Sequence, residues 1–386
     1  MRTRLLALIL TLSLLLGGCG WFDTSYVNVT PYQQQSGTAK AEVVSASNYY
    51  QLRTALEDVV SSGAKSSVIY IANYDPELVE RNLEDALRYI REYSPIGAYA
   101  VADITCEVGT SSGKPAIAIQ VSYRRGQSEI RRIVKVTDAE AAKPAIADAL
   151  QDFDASLTLE VEYYTDTDFV RVVEAYAEEN PEYVLELPLV TEDVFGQGVT
   201  RIVELSFSYQ NNRDSLKQMK YQVQPIFDSA ALYVTTAAEE RQKYSQLYSF
   251  LMERFDYTLE TSITPAYSLL CHGVGDSRAF AVVYASMCRR AGLNCRIVTG
   301  TRNGEPWTWN MVMDRGNYYH VDLIRSSANG SFAELVDSDM GGYVWDYSGY
   351  PQCVKPYTAP AEVEMLPAAP TQATEPEPTE AEKNPE

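Results

Sequence analysis

One stretch decides the fold of the C-terminal part of this 386-residue chain: Ala266-Tyr267-Ser268-Leu269-Leu270-Cys271-His272-Gly273-Val274-Gly275-Asp276-Ser277-Arg278-Ala279-Phe280-Ala281. Asp276 or Ser277 can cap a helix here, because Asp and Ser oxygens accept hydrogen bonds from the free N–H groups of a first turn. Apolar residues then recur at helical spacing, and Gly292 is a typical helix stop. The stretch therefore predicts a helix that begins near Ser277 and buries one face.

Three strand candidates follow this helix. Cys295 to Gly300 is a short apolar run that predicts a buried strand. Trp307-Thr308-Trp309-Asn310 opens a second strand, and Tyr318-Tyr319-His320-Val321-Asp322 forms a third.

In this order, the elements resemble the transglutaminase-like superfamily, which has the papain-type cysteine protease fold. The resemblance aligns Ser277 with the catalytic Cys of the family, Trp307 with its His, and Asp322 with the Asp that orients the His. It implies an α+β C-terminal domain of helices packed on an antiparallel sheet. In family members that keep all three residues, it also implies attack of a thiolate on a Gln amide or a peptide carbonyl.

The two substitutions change the chemistry that the resemblance implies. A serine hydroxyl is far less acidic than a thiol, so Ser277 depends on a neighbouring base. The indole N–H of Trp307 donates a hydrogen bond and cannot accept a proton. Asp322 alone is a weak base for an alcohol. Because nucleophile and base act as a unit, we predict a catalytically degenerate domain, a pseudoenzyme, that binds a peptide, protein or glycan.

Two rearranged sites are the alternatives. His320 lies two residues before Asp322, so both side chains would point to one face of a strand. An active hydrolase or acyltransferase could then use Ser277, His320 and Asp322. The adjacent pair Cys271 and His272 could also supply a new nucleophile, although the side chains of adjacent residues usually diverge.

Aromatic residues cluster around the position of the base. We predict Trp307, Trp309 and Tyr319 as ligand-binding residues in an aromatic groove, with Tyr318 and Tyr343 nearby. The plain alternative is that these aromatic side chains belong to the core and that Trp307 plugs the former cavity.

The N-terminus predicts export and a lipid anchor. Residues 1–18 have two early arginines and a short apolar run, which is typical of a secretory signal peptide. They end in Leu-Gly-Gly before Cys19, a pattern that resembles a bacterial lipobox. Cys19 is the predicted lipidation site and residues 19–40 a polar tether. The resulting expectation is a membrane-anchored lipoprotein on the extracytoplasmic side of a bacterial cell envelope, with an envelope protein, peptide or glycan as its partner.

Composition excludes other classes. The formal net charge is −20, which argues against nucleic acid as a partner. Five cysteines follow Cys19 without zinc-ligand spacing, and the chain has only two histidines, so we expect no metal and no cofactor. The pairing of Cys288 and Cys295 is left open.

The region before the C-terminal domain predicts two repeated α/β units. Residues 41–136 and 137–225 each predict helix, strand, helix, strand and strand in that order. Residues 226–357 form the predicted transglutaminase-like domain, and residues 358–386 a disordered tail rich in Pro, Thr and Glu. Five of the predicted elements are tested below: a helix over 76–93, strands over 98–106, 184–187 and 219–223, and a helix over 233–255.

Overall fold

The computed structural model describes residues 44–355. The predicted signal peptide (1–18), Cys19 with the tether (19–40) and the tail (358–386) lie outside the described residues. Within residues 44–355, no helix is both long enough and apolar enough to cross a membrane.

The first unit contains a three-stranded antiparallel sheet covered by helices. Its elements are α1 Tyr49–Ser62, β1 Ser66–Tyr70, α2 Val79–Glu92, α3 Pro95–Ala100, β2 Val101–Ser111 and β3 Lys114–Tyr123. Asn48 caps α1 by accepting a hydrogen bond from the N–H of Gln51. The strands lie in the order β1-β3-β2.

The second unit follows a short connection made of α4 Gln127–Ile130 and β4 Val134–Val136. Its elements are α5 Ala139–Gln151, β5 Ser156–Val161, α6 Phe169–Glu179, β6 Leu189–Phe195 and β7 Arg201–Ser208. Asp138 caps α5 and Asp168 caps α6. The sheet order is β4-β5-β7-β6, with β4 parallel to β5.

The two units share one connectivity. In both, the first strand of the αβαββ series pairs with the last, and the last pairs with the middle one, all antiparallel. Since the same element order gives the same sheet order twice, the structure is consistent with duplicated units. The unit that contains α1 contacts the second unit through a small apolar cluster that includes Tyr99 and Ile202.

The C-terminal domain packs helices against an antiparallel sheet, as an α+β papain-like fold requires. Its helices are α7 Arg213–Tyr233, α8 Glu240–Met252, α9 Pro265–His272, α10 Ser277–Arg290 and α11 Leu323–Ala328. Its strands are β8 Asp256–Tyr257, β9 Val274–Gly275, β10 Cys295–Arg302, β11 Glu305–Asp314, β12 Asn317–Val321 and β13 Tyr343–Trp345. The main sheet has the order β12-β11-β10-β13, and α10 packs on β10 and β11.

Gly300 allows the strands of this sheet to approach closely. It lies opposite Trp307 on β11 and opposite Trp345 on β13. A Cβ atom at this position would lie 2.1 Å from the carbonyl oxygen of Val344, so only glycine fits without displacing β13. This contact holds β13, and with it Tyr343, beside the strand that carries Trp307.

Two predictions around residue 225 are wrong. The predicted strand over 219–223 is part of α7, because Leu216, Val223, Phe227 and Ala230 follow helical spacing and are buried. This burial against the C-terminal core outweighs both the alternating sequence and the presence of Pro225 within the helix. The boundary predicted at residues 225 and 226 is also wrong, since α7 runs through it.

The other differences are local. The predicted helix over 233–255 is the end of α7 followed by the separate helix α8. The segment 184–187 is not a strand, and β6 begins only after Pro188. The predicted strand over 98–106 starts at Val101, because Ser94 and Pro95 first begin α3. The helix predicted from residue 76 starts at Val79, which leaves Leu78 exposed instead of buried.

Candidate functional site

Ser277 occupies the first helical position of α10. Asp276, and not Ser277, is the N-cap, and its carboxylate accepts a hydrogen bond of 2.8 Å from the N–H of Ala279. Every residue from Ala279 to Cys288 is buried, so α10 is held on all sides. The free N–H groups and the positive end of the helix dipole therefore lie beside the Ser277 hydroxyl, in a fixed position.

Ser277 meets strand β11 through the backbone. Its Oγ accepts a hydrogen bond of 3.3 Å from the N–H of Thr308. Asn310, two residues further along β11, donates through Nδ2 to the carbonyl oxygen of Ala281 at 2.9 Å. These two contacts hold the start of α10 against the strand that also carries Trp307.

Trp307 and Asp322 are joined directly. The indole Nε1–H of Trp307 donates to Oδ2 of Asp322 at 2.8 Å. Trp307 lies on β11, and Asp322 follows β12, the neighbouring strand. The structure thus brings together all three residues that the sequence aligned with a catalytic triad, with Trp307 bonded to the carboxylate that the resemblance assigns to orienting a His.

Asp322 is a buried carboxylate with several partners. It is 2% exposed. Oδ2 also accepts a hydrogen bond of 2.6 Å from the hydroxyl of Tyr343, and Oδ1 accepts one of 3.0 Å from the N–H of Arg325, which makes Asp322 the N-cap of α11. The guanidinium of Arg302 lies 3.7 Å from Oδ2. Burial, then the charge of Asp322, raises the pKa of Tyr343, so the phenol keeps its proton and donates.

The surroundings of Trp307 were only partly visible in the sequence. The Arg302 guanidinium carbon lies 4.9 Å from the Trp307 ring centroid and 5.4 Å from that of Tyr343. Tyr257 also packs near this ring, with its ring centroid 5.8 Å from that of Trp307. Arg302 ends β10 and Tyr257 lies in β8, so no local pattern links them to Trp307; only the fold brings them together.

His320 faces away from the start of α10. Its Nδ1 accepts from Nε1–H of Trp309 at 3.0 Å, and its Nε2 lies 2.9 Å from Oδ1 of Asp337. Trp309 belongs to the apolar cluster on one face of the sheet, whereas Val312 and Val321 pack with α10 on the other face. Both ring nitrogens of this fully buried His320 are therefore committed on the face opposite α10. Asp337 was not anticipated from the sequence.

Three potential metal ligands meet at this histidine. Atoms of His320, Asp337 and Cys353 lie within 4.8 Å of one another. An indole can only donate, so His320 accepts at Nδ1 and carries its proton on Nε2, facing Asp337. A metal ion bound at Nε2 would displace that proton, and Nδ1 already accepts from Trp309. The imidazole would then have no ring N–H left to donate to a neighbouring acceptor, as metal-binding histidines normally do. Burial also raises the pKa of Cys353 to about 12, which disfavours the thiolate that a metal needs.

The other cysteines show no activated thiol. Cys271 is an exposed residue near the end of α9, but neighbouring atoms withdraw its sulfur partly from water. This desolvation raises the pKa of the thiol, opposite to the direction that activation requires. Within the described residues it makes no hydrogen bond to His272, whose ring packs edge-on against Tyr267. Cys288 and Cys295 are free and buried, and burial raises the pKa of Cys288 well above its ordinary value.

The three predicted ligand-binding aromatics do not form one surface. Trp309 is 1% exposed, and its N–H is used by His320, so it is a core residue and its predicted ligand role is wrong. Tyr319 packs with the α10 cluster on the opposite face from Trp309. Adjacent residues of a strand point to opposite faces of the sheet, so Tyr319 on β12 and its neighbour His320, which bonds to Trp309, lie on different faces. The prediction overlooked this alternation. Trp307, half-buried, is the remaining candidate for a ligand contact.

Comparison with known proteins finds a family match over the part of the chain that contains these residues. Residues 229–323, which include Ser277, Trp307 and Asp322, match the transglutaminase-like superfamily. The fold is similar to a putative cysteine protease from Cytophaga hutchinsonii, at 13% identity and a TM-score of 0.25, over 40% of this chain and 70% of that one. It is also similar to a structure described as a TGase, at 10% identity and a TM-score of 0.25, over 56% of this chain and 63% of that one.

A third similar structure is the periplasmic domain of TgpA from Pseudomonas aeruginosa. The identity is 16% and the TM-score 0.22, over 34% of this chain and 57% of that one. No curated protein sequence matches the chain.

Trp307→Phe tests the hydrogen bond to Asp322. The change removes a donor to a buried carboxylate, so we expect the free energy of unfolding to fall by about 1.5–3 kcal/mol beyond the effect of the smaller ring. The matched control is Trp345→Phe, because Trp345 is also buried beside Tyr343 and its indole makes no hydrogen bond within residues 44–355. Urea unfolding of both variants measures the difference, and equal losses would contradict the assignment.

His320 should make stability depend on pH. Burial lowers its pKa below the ordinary 6.5, and Asp337 offsets this only in part. The unfolded chain then takes up a proton at a higher pH than the folded protein does. Stability from this group is therefore complete above the unfolded pKa and is lost as the pH falls below it, by at most about 1.4 kcal/mol per pH unit.

Urea unfolding between about pH 7.5 and 5.5 measures this slope. In His320→Gln the slope over this range should become shallower. His272→Gln, which changes the other, exposed histidine, should keep the slope of the unmodified protein. If His320→Gln leaves the slope unaltered, the loss of stability comes from carboxylates elsewhere.

Proposed function

Residues 229–323 form a transglutaminase-like domain, and we propose that this domain has lost its catalytic pair and serves in binding at a bacterial cell envelope. The ligand would be a peptide, a protein or a glycan, and the chain would be held at the membrane by lipidated Cys19. The proposal concerns a pseudoenzyme: a domain that keeps the catalytic frame of its superfamily without a working nucleophile and base.

One observation carries the proposal. The position aligned with the catalytic His is filled by Trp307, whose N–H donates to Asp322 at 2.8 Å. An imidazole in this place could donate to the Asp from one nitrogen and accept a proton at the other. An indole has only the donating half of that function. The contact to Asp322 is kept, and the proton acceptor is lost.

The nucleophile position supports the same conclusion. The one hydrogen bond that Ser277 Oγ makes within the described residues comes from a donor, the N–H of Thr308. A serine needs an acceptor close to its hydroxyl, at about 2.6–3.2 Å, for general-base activation. Asp322, the nearest aligned candidate, has its oxygens engaged by Trp307, Tyr343 and Arg325.

The alternative of an active site with His320 as base has no support from the geometry. Both nitrogens of that ring are bonded to residues other than Ser277, namely Trp309 and Asp337. Rotating the ring toward α10 would break two buried hydrogen bonds and leave the Trp309 N–H and the Asp337 carboxylate without these partners. Such unmet buried groups cost about 1–3 kcal/mol each.

A binding role is favoured by what remains at the old site. Trp307 is half-buried, and both Tyr257 and Arg302 pack near its ring, so aromatic side chains and a cation lie together at this position. Aromatic and Arg side chains are common anchors in binding sites. Export and the anchor are proposed from the signal-like segment before Cys19, and the excess of acidic residues fits a body that stands off a negative membrane.

Nucleophile-directed probes test the loss of catalysis. We expect that a fluorophosphonate for serine and iodoacetamide for cysteine label the folded protein no faster at Ser277 or Cys271 than they label the denatured chain. Mass spectrometry of digested protein identifies the labelled residues. Stoichiometric labelling of Ser277 that disappears in His320→Ala would establish an active enzyme instead.

A variant that carries the family's Cys and His at positions 277 and 307 shows whether an absence of labelling comes from lost chemistry or from a closed site. In Ser277→Cys with Trp307→His, the new thiol lies at a helix N-terminus beside an imidazole, and both lower its pKa. Rapid alkylation by iodoacetamide is expected there, and slower alkylation in Ser277→Cys alone. If the double variant reacts no faster than the single one, the alignment of Trp307 with the family His is wrong.

The lipid anchor has its own test. In bacteria that express the full chain, the protein should sediment with membranes, and Cys19→Ser should release it into the soluble extracytoplasmic fraction, because the acyl chains supply the membrane affinity. Cys271→Ser, at an exposed cysteine in the folded part, is the matched control and should stay with the membrane. If the protein without substitutions is found in the soluble fraction, the proposed lipid anchor is wrong.

A further inference from the structure

A cavity of about 470 Å³ lies between the second unit and the C-terminal domain. One wall is formed by residues 177–187, which are the end of α6 and the segment after it. The other wall is formed by residues 261–266, which lead into α9, and by the first turns of α10. Its volume falls in the range of small-ligand sites, about 300–1,000 Å³. We call it the seam cavity. Most of its lining is aliphatic, and its charged residues are Glu178, Glu186 and Arg278.

Glu186 is a buried charge without a cationic partner. It is 2% exposed, and its oxygens accept hydrogen bonds from the N–H of Gln210 at 2.5 Å, the N–H of Asn211 at 3.1 Å and Nδ2 of Asn211 at 2.7 Å. These donors are all neutral. Within residues 44–355, no Lys or Arg lies within 4.0 Å of this carboxylate. A buried carboxylate satisfied only by neutral donors favours a positive charge in the adjoining space.

The one cation in the lining is already engaged. Arg278 pairs with Glu178 at 2.9 Å, and both side chains are about two-fifths exposed, at 43% and 39%. In such an exposed ion pair each charge is balanced by the other, and the pair contributes little to the stability of the protein. The charged lining therefore consists of two carboxylates and one guanidinium, and Glu186 carries the uncompensated charge.

A second carboxylate strengthens the negative field at this interface. Glu182 is 6% exposed, and its Oε2 accepts a hydrogen bond of 2.7 Å from the hydroxyl of Ser286 on α10. It also has no ion pair within the described residues. Two buried, unpaired carboxylates on the short segment 182–186 thus lie on the same side of the interface as the aliphatic wall of the cavity.

We propose that the seam cavity binds a basic side chain of a peptide, with its ammonium or guanidinium group toward Glu186 and its stem along the aliphatic walls. Apolar residues such as Val184, Leu185, Ile263 and Val282 would cover the stem, since long cationic side chains bury their methylenes while the head keeps a polar partner. Exposed Leu187 and Ile263 at the rim supply apolar contacts for the flanking residues of the peptide.

This site is separate from the degenerate one. Arg278 and Val282 are four residues apart and share the face of α10 that lines the cavity, whereas Ser277 contacts β11. The proposal therefore does not depend on whether Ser277 is inert. Loss of binding here and labelling of Ser277 are distinguishable results, because they report on different faces of one helix.

Titration calorimetry with three probes tests the ligand class. The probes are N-acetyl-Leu-Lys-Leu-amide, the same tripeptide with norleucine in place of lysine, and free 1,5-diaminopentane. We expect the lysine peptide to bind about tenfold or more tightly than the norleucine peptide, the effect of one hydrogen-bonded charge. Equal affinities for the two peptides would overturn the proposal. Binding of the diamine as tight as that of the lysine peptide would assign the cavity to free amines and overturn its peptide part.

A matched pair of variants locates the binding. Ile263→Lys places an ammonium group at an exposed residue of the cavity lining, where it competes with the ligand cation, and should weaken binding of the lysine peptide about tenfold or more. Leu259→Lys adds the same charge to a more exposed residue outside the lining and should leave affinity unchanged. Thermal melts confirm that both variants are folded. Equal affinities in the two variants would place the peptide elsewhere.

Discussion

The buried carboxylate of Asp322 holds the C-terminal domain together. Its oxygens accept hydrogen bonds from Trp307 on β11, from Tyr343 on β13 and from the first turn of α11. A carboxylate that is withdrawn from water must find donors for its charge, so each of these elements is fixed relative to the others. The close approach of β13 at Gly300 is part of the same constraint, because it brings Tyr343 within reach.

This constraint explains how the frame of the site accommodates a tryptophan at position 307. The carboxylate needs a donor from β11, and an indole N–H meets that need as well as an imidazole N–H does. The structural half of the His–Asp pair is therefore separable from its catalytic half, which requires a second nitrogen with a free lone pair. The helix that presents position 277 is fixed independently by Asp276 and by Asn310, so Ser277 is held in place as well.

The sequence predicted those features that depend on neighbours along the chain. The cap and start of α10, the strand around Trp309 and the repeated element order all follow from local patterns. Two of the errors show physical causes that lie beyond the local sequence. Burial of Leu216 and Val223 against a distant core makes a helix of residues that alternate like a strand. The facing of side chains on β11 and β12 sends Trp309 and Tyr319 into opposite layers. Partners such as Asp337 and Arg302 are set by how the elements of the domain pack together, which one sequence does not display.

Helix α10 also links the C-terminal domain to the rest of the chain. Residues 279–288 of α10 are buried all round, which is stable only if each side of the helix has a packing partner. Strands β10 and β11 cover one side, and the second unit covers another, where Ser286 meets Glu182. A helix enclosed in this way cannot lose the second unit without exposing Val282 and Ser286. The second unit is therefore part of the packing of the C-terminal domain.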